Sequence, residues 1–342
     1  MLNNPTKLVF SMTLISGTLI SISSTSWLSA WMGLEINLLS FIPLMTNSKN
    51  TMSTEASLKY FLIQALASSS LLFTIILMHL SIDMSLLMNH NLFLVLISST
   101  LLLKMGAAPF HFWFPGTMEG LNWINCLILM TWQKIAPLML LSYTIKMNMF
   151  TAMIIMTSVI IGSLGGLNQT SVRKLMAYSS INHLGWMTAA MMTGENLWEL
   201  YFLIYSFLST SLVWMFSMLQ MFHINQGFLT MNYSPTMKFC MFSLLLSLGG
   251  LPPFLGFLPK WIIIQALVNS DMLFLITIMT ISTLLTLFYY LRLSFSAFLM
   301  SYTEMKSSVP QNFNPNYTLM TTTFMMISSS GLILSSLLFN TL

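Results

Sequence analysis

Apolar residues run in long blocks along this chain, and polar or charged positions punctuate those blocks rather than alternate with them. A hydrocarbon core of ~30 Å takes about 20 residues of helix, and backbone groups in lipid are satisfied only in helices or closed barrels. The blocks are too long for barrel strands, so they read as helices. From charge to charge, the candidate spans are 8–25, 27–45, 60–80, 92–114, 122–145, 149–167, 175–193, 200–222, 239–270, 272–291 and 318–339. The pattern therefore predicts an all-α polytopic membrane protein with about eleven transmembrane helices. Most connections are short, and the longest polar one, 302–317, contains Glu304, Lys306, Pro310 and Pro315, as a surface loop does.

Composition agrees with this reading. Only 6% of the 342 residues are charged and 56% are hydrophobic. That is too few charges to cover a soluble surface, so an ordinary soluble enzyme is excluded, and so is intrinsic disorder. Cys126 and Cys240 lie within or beside apolar segments and read as buried thiols, since one pair makes neither a disulfide framework nor a four-ligand metal site. The N-terminus has neither a secretory pattern nor an Arg-rich amphipathic one, and the first apolar segment is expected to be retained. The 33 methionines answer to no packing requirement and read as coding bias.

An odd number of spans puts the termini on opposite sides, and the charges support that. The N-terminal side would carry Lys7, Lys49, Lys59, Arg173, Lys174, Lys238, Arg292 and Lys306 with Glu55, Glu119 and Glu304; the other side would carry Lys146 with Asp83, Glu195, Glu199 and Asp271. By the positive-inside rule the N-terminus faces the cytoplasm or its topological equivalent, the mitochondrial matrix.

Four charges belong to neither side: Glu35, Lys104, Lys134 and Lys260. Lys134 lies twelve residues into 122–145 and eleven from its end, roughly 17 Å from either border, which is beyond the reach of snorkelling. Lys104 and Glu35 are similarly central, and Lys260 lies late in an over-long span. A central charge costs about 2.5–3.5 kcal/mol to insert, so the four together cost on the order of 10 kcal/mol. As interhelical ties, Glu35 would neutralise one lysine and leave two without an acidic partner. Desolvation favours a neutral amine and a nearby carboxylate favours the ammonium, so a lysine so placed can exchange protons near neutral pH. These residues read as a chain of protonatable sites at mid-membrane depth.

Two spans are interrupted. In KMGAAPFHFW (104–113), Pro109 cannot donate to the carbonyl of Met105, which would leave a free carbonyl beside Lys104. In SLGGLPPFLGFLPKW (247–261), Gly249, Gly250, Pro252 and Pro253 break a stretch that as a straight helix would be roughly 48 Å long. Paired interruptions are the sequence mark of a transporter site. They fall in the fourth and ninth spans, an odd offset that gives the two opposite directions, as inverted repeats require. The same offset pairs the Glu35 span with the span holding His183, which is read either as a hydrogen-bonded core residue or as a relay member.

The remaining signals are weaker. His111 could line a wet path or cap an interfacial end, and Phe110, Phe112 and Trp113 are expected to anchor that end at the interface. His79 and His90 are expected to be solvated at a membrane border. Asn168-Gln169-Thr170 matches a glycosylation pattern on the side where no acceptor is used. Gly162, Gly165 and Gly166 are expected to permit close helix contact. The sequence carries no nucleotide fingerprint, metal-ligand cluster or nucleophile constellation.

At these same residues the chain resembles the antiporter-like membrane-arm subunits of NADH:ubiquinone oxidoreductase, respiratory complex I, and among them the subunit 2 type of insects and their relatives. The resemblance rests on GLEINLLSFIP (33–43), STEASLKYFL (53–62), KMGAAPFHFW (104–113), TWQKIAPL (131–138), GGLNQTSVRKLMAYSSINHLGWM (165–187) and SLGGLPPFLGFLPKW (247–261), in that order. It implies inverted five-helix repeats, approximately 8–145 and 149–291, with one broken helix in each and a final helix 318–339 in a single transmembrane domain. It implies that Glu35 pairs with Lys104, that Lys134 is the central lysine and that Lys260 is the ionisable residue of the second broken helix. Larger members start earlier, so this chain begins at what would be their fourth helix.

The resemblance further implies proton translocation across the mitochondrial inner membrane, coupled to electron transfer from NADH to ubiquinone. Redox chemistry on FMN and iron–sulfur clusters would occur in partner subunits, with no cofactor in this chain. The partners would be other complex I subunits and membrane lipids, with cardiolipin a candidate, and no nucleic acid. A free-standing cation/proton antiporter and a non-catalytic assembly scaffold are the competing readings. The first would exchange ions without a partner; the second would tolerate neutral residues at Lys104, Lys134 and Lys260.

Overall fold

The computed structural model describes residues 5–47, 50–83, 90–194, 196–224, 226, 235–299 and 315–341. Positions 302–314 of the expected loop, with Glu304, Lys306 and Pro310, lie outside the described residues, as do Lys49, Glu195 and the side chains of Asp83 and His90. Pro315, expected in the loop, instead opens the last helix, where its missing N–H has no intrahelical acceptor to lose.

The helices are α1 Pro5–Ser23, α2 Trp27–Met45, α3 Thr51–Asp83, α4 His90–Met105, α5 Trp113–Gly120, α6 Trp123–Met130, α7 Trp132–Thr144, α8 Met149–Leu167, α9 Val172–Thr193, α10 Leu197–Leu219, α11 Pro235–Gly249, α12 Phe257–Asn269, α13 Leu273–Leu299 and α14 Pro315–Thr341. Among the described residues there is no strand, only an isolated bridge between Ser171 and His223. Taking α4 with α5, α6 with α7 and α11 with α12 as single crossings, these helices correspond to the eleven expected spans. Among the described residues seven segments are long and apolar enough to cross a membrane by themselves.

Three expected spans end differently, for physical reasons. The helix expected at 60–80 begins at Thr51, and its polar first turns carry the exposed pair Glu55–Lys59 at 3.8 Å. The span 92–114 is two helices, since α4 stops at Met105 and helix resumes at Trp113. The span 122–145 is interrupted at Thr131, whose φ of −114° and ψ of −71° depart from helical values. Thr131 also turns its hydroxyl onto the Leu127 carbonyl at 2.7 Å.

The chain forms two compact units, Met1–Ser158 and Val159–Leu342. In the first, α3 packs against α2, α4 and α5, while α7 packs against α4 and α6. Helices α1 and α2 pack backbone to backbone through small residues. A Cβ on Gly33 would stand 2.6 Å from the Ser21 nitrogen, and one on Gly17 2.9 Å from the Asn37 nitrogen. In the second unit α10 packs against α9, α11 and α12, and α11 against α13 and α14. Gly162 and Gly166 do permit close contact, the first against the Asn182 backbone and the second against the Tyr289 ring. Cys126 and Cys240 are buried and not joined in a disulfide, and the Cys126 thiol donates to the Met118 carbonyl at 3.5 Å.

Helix α9 is not among the seven clearly apolar segments, yet every residue from Ser179 to Ala190 is buried. Protein rather than lipid surrounds it, which is why it can hold Asn182 and His183 at this depth. Here and in other helices, hydroxyls are satisfied by their own helix: Ser180 donates to the Ala177 carbonyl at 2.7 Å, Ser21 to Thr18 at 2.7 Å and Ser40 to Asn37 at 2.8 Å. In this way a serine- and threonine-rich sequence remains compatible with lipid. Leu19, Leu39, Leu66, Phe73, Leu203 and Phe274 point outward, as lipid-facing side chains do.

Replacing Gly33 by Val is expected to separate α1 from α2 and destabilise the protein by about 1–3 kcal/mol. Gly116→Ala, where a Cβ meets open space, should leave stability unchanged. Thermal unfolding in detergent, followed by intrinsic fluorescence, compares the two.

Candidate functional site

In the first unit the site is built around the break after α4. Gly106 takes φ 74°, which a glycine adopts without the Cβ penalty. Its N–H and that of Ala107 fold back on the carbonyls of Leu103 and Leu102 at 3.2 and 3.1 Å. The carbonyl satisfied beside the break is that of Lys104 itself, which accepts a 3.0 Å bond from Gln64 Nε2 on α3. Trp113, expected at the interface, is instead buried and donates its indole N–H to the Leu103 carbonyl at 3.2 Å. An indole in lipid needs such an acceptor, and the broken turn supplies it. Phe112 is exposed as expected, whereas His111 is buried, with Nδ1 3.2 Å from the Pro109 carbonyl.

Lys134 occupies the first turn of α7, with the Thr131 irregularity before it and Pro137 after it. Pro137 has no N–H, so the carbonyl of Gln133 has no helical donor at that position. Lys134 is 1% exposed and Lys104 7%. The Lys134 ammonium lies 5.3 Å from the centroid of Phe114, within cation–π range. Phe114 also packs against Gly106, where a Cβ would stand 3.1 Å from the Phe114 Cβ. One ring therefore touches both the break and the central lysine.

Lys104 and Lys134 line a single small cavity together with Asn37, Tyr60, Gln64 and Gln133. Gln133 Nε2 donates to Asn37 Oδ1 at 2.9 Å, and the Tyr60 hydroxyl approaches Gln133 Oε1 at 3.5 Å. Glu35, half-buried on α2, interacts electrostatically with Lys104. The two form no ion pair within 4.0 Å, unlike the exposed Glu55 and Lys59. Three of the four charges singled out in the sequence, Glu35, Lys104 and Lys134, are thus gathered in this unit.

In the second unit the break follows Gly249. Gly250 has φ 81°, and helix resumes at Phe257. Lys260, 6% exposed, turns back across the gap and donates to the Gly249 carbonyl at 2.8 Å. At this second break a backbone carbonyl thus meets an ammonium directly. The Leu255 N–H is satisfied by the Ser328 carbonyl of α14 at 2.9 Å.

His183 is buried, with Nδ1 2.7 Å from the Tyr201 hydroxyl and its ring 4.9 Å from that of Tyr205. These three residues line a small cavity with Gly256 and Pro259, the residue before Lys260. His183 and the resumption of the second broken helix thus share one space. The residues missed in the sequence are neutral: Asn37, Gln64, Gln133 and Tyr201. A search for amides inside apolar spans would have found the first three, whereas Tyr201 looks like any interfacial aromatic until its partner is known.

Chemically the arrangement offers amines, an imidazole and amides around small enclosed spaces. Such groups hold, pass or orient protons. Among the described residues no group of three or more His, Cys, Asp or Glu side chains could hold a metal ion.

Comparison with known proteins gives a family. The model of the NADH:quinone oxidoreductase/Mrp antiporter transmembrane family matches residues 24–286. NADH-ubiquinone oxidoreductase chain 2 of Anopheles gambiae is 57% identical over 332 residues, covering 97% of each chain. Its Aedes aegypti counterpart is 59% identical over the same length and coverage. Among solved structures, a chain of respiratory complex I from Thermus thermophilus superposes with TM-score 0.84 at 23% identity, covering 96% of this chain and 78% of that one. A chain of the Mrp complex from Dietzia sp. DQ12-45-1b gives 0.79 at 14% identity, covering 96% and 75%. At those identities the superpositions establish the fold.

Gly250→Ala is expected to be harmful twice over. A Cβ there would stand 2.9 Å from the Lys260 Nζ, and the positive φ adds about 1–2 kcal/mol of strain. A fall in the thermal midpoint, larger than that of Gly116→Ala, checks this.

Proposed function

The chain belongs to the NADH:quinone oxidoreductase/Mrp antiporter transmembrane family, in its NADH-ubiquinone oxidoreductase chain 2 branch, and on that premise we propose that it is a core membrane-arm subunit of a proton-translocating NADH:ubiquinone oxidoreductase. The observation that carries this reading is the burial of Lys104 and Lys134 around one cavity, beside a helix broken at a positive-φ glycine. Ammonium groups are not placed at such depth for stability alone.

In this reading Lys134 is the central proton carrier, and Glu35 with Lys104 forms a switchable pair. Lys104 and Lys134 line the same space, so a Lys104 ammonium without its carboxylate repels a proton on Lys134, and one held by Glu35 does so less. A displacement of a few Å in such a pair changes the interaction by about 1–2 kcal/mol. Lys260, held on the Gly249 carbonyl, hands protons to or from an exit, and His183 relays, with Tyr201 on its Nδ1. The approximate inverted repeats are 8–145 and 149–291.

Hydride and electron chemistry belongs to FMN and iron–sulfur clusters in partner subunits, and this chain contributes the proton side of the coupling. Its partners are the other subunits of the complex and the surrounding lipid, with cardiolipin a candidate. It sits in the mitochondrial inner membrane, the N-terminus on the matrix side and the C-terminus in the intermembrane space.

Native electrophoresis of mildly solubilised inner membranes, with an antibody to this chain and an in-gel NADH dehydrogenase stain, should give coincident signals in one very large band. A free-standing antiporter would run alone and unstained. Within the assembled enzyme, Lys134→Met should lower proton translocation and the coupled NADH oxidation at least about tenfold, the loss of one proton-transfer group. Undiminished pumping by the assembled variant would remove Lys134 from this role.

A further inference from the structure

The proton-bearing groups of the first unit lie on separate helices: Glu35 on α2, Lys104 at the end of α4 and Lys134 on α7. Coupling between them requires that those helices be held in register. The lattice that links them consists of amides. Gln133, next to Lys134, donates to Asn37, two residues beyond Glu35, at 2.9 Å. Gln64 ties α3 to the carbonyl of Lys104 at 3.0 Å, and Tyr60, one turn before Gln64, reaches Gln133 Oε1 at 3.5 Å. Asn37, Gln64 and Tyr60 are all buried.

The direction of each bond is chemically consistent. Gln133 presents its NH₂ to an amide oxygen and its oxygen to a hydroxyl, so both of these bonds run from a donor to an acceptor. Amides stay neutral at any accessible pH, so they contribute geometry rather than protons. The turn they grip is irregular on both sides. Thr131 breaks the helical conformation ahead of Lys134, and Pro137 withholds the N–H that would close the turn on Gln133. With fewer backbone bonds there, side-chain bonds add to the packing of α7 against α4 and α6 in fixing its tilt.

We propose that the Asn37–Gln133 amide pair is a positioning clasp, which fixes the Lys134 turn of α7 to the Glu35 helix so that a change at the Glu35–Lys104 pair is felt at Lys134. The clasp rests on the function proposed above and adds two residues to it. Neither residue takes or gives a proton. Gln64 and Tyr60 extend the clasp to the broken end of α4.

The test uses the assembled enzyme in proteoliposomes, with NADH oxidation by quinone and proton uptake recorded together. Asn37→Leu and Gln133→Leu should each lower coupled turnover about fivefold, the loss expected of one buried hydrogen bond. Because both remove the same bond, the double variant should be no worse than the poorer single. The exchanged pair, Asn37→Gln with Gln133→Asn, keeps one amide on each helix and should recover to within about twofold of the unmodified enzyme. Single variants without loss, or a double variant whose loss is the product of the two, would overturn the clasp.

If the leucine variants fail to assemble, the exchanged pair decides alone. Coupled turnover near normal upholds the clasp, and an uncoupled or unassembled exchanged pair overturns it. Lys134→Met run alongside separates the two levels of inference. Pumping lost there but kept in the leucine variants removes only the clasp, whereas pumping kept in Lys134→Met removes the proton-carrier reading beneath it.

Discussion

Everything in this molecule follows from one constraint: an ammonium group carried below the membrane surface must find its partners in protein. Lys134 is almost fully enclosed, with an aromatic face 5.3 Å from its nitrogen. Lys260 rests on a backbone carbonyl at 2.8 Å. In a regular helix that carbonyl would already be bonded four residues along the chain. Helix breaks are therefore the local source of acceptors, and the buried charges sit where the breaks occur.

The two units use this device from opposite ends. Lys104 precedes its break by two residues, and Lys260 follows its break from the first turn of the resumed helix. In both, a glycine of positive φ turns the chain out of the helix. At Lys104 a glutamine side chain and an indole N–H cap the freed carbonyls; at Lys260 the ammonium caps one itself. The buried lysine is thus tied through its backbone in one unit and through its nitrogen in the other.

Around these sites serine and threonine hydroxyls bond back to their own helices, Gln133 pairs with Asn37, and Gln64 and Asn125 donate to backbone carbonyls. Helix α9, enclosed along most of its length, places His183 beside Tyr201 and next to the segment that leads into Lys260.

The sequence by itself determined the architecture and most of the charged chemistry. Block length, the scarcity of charge and the paired Gly-Pro interruptions are one-dimensional properties, since the bilayer sets helix length and proline and glycine act on their own backbone. Glu35, Lys104, Lys134 and Lys260 stood out because a charge in an apolar block is costly whatever surrounds it. Only the tertiary structure decided what each charge meets. The position of Pro109 pointed to a free carbonyl near Lys104, yet that backbone is capped by Gln64 from α3, forty residues away in the chain. Trp113 looked interfacial because it ends an apolar block, and burial against a broken turn cannot be read from the block. The Asn37–Gln133 pair, separated by 96 positions, exists only when α2 and α7 are brought together: the sequence states which side chains are polar, and packing alone decides which of them are neighbours.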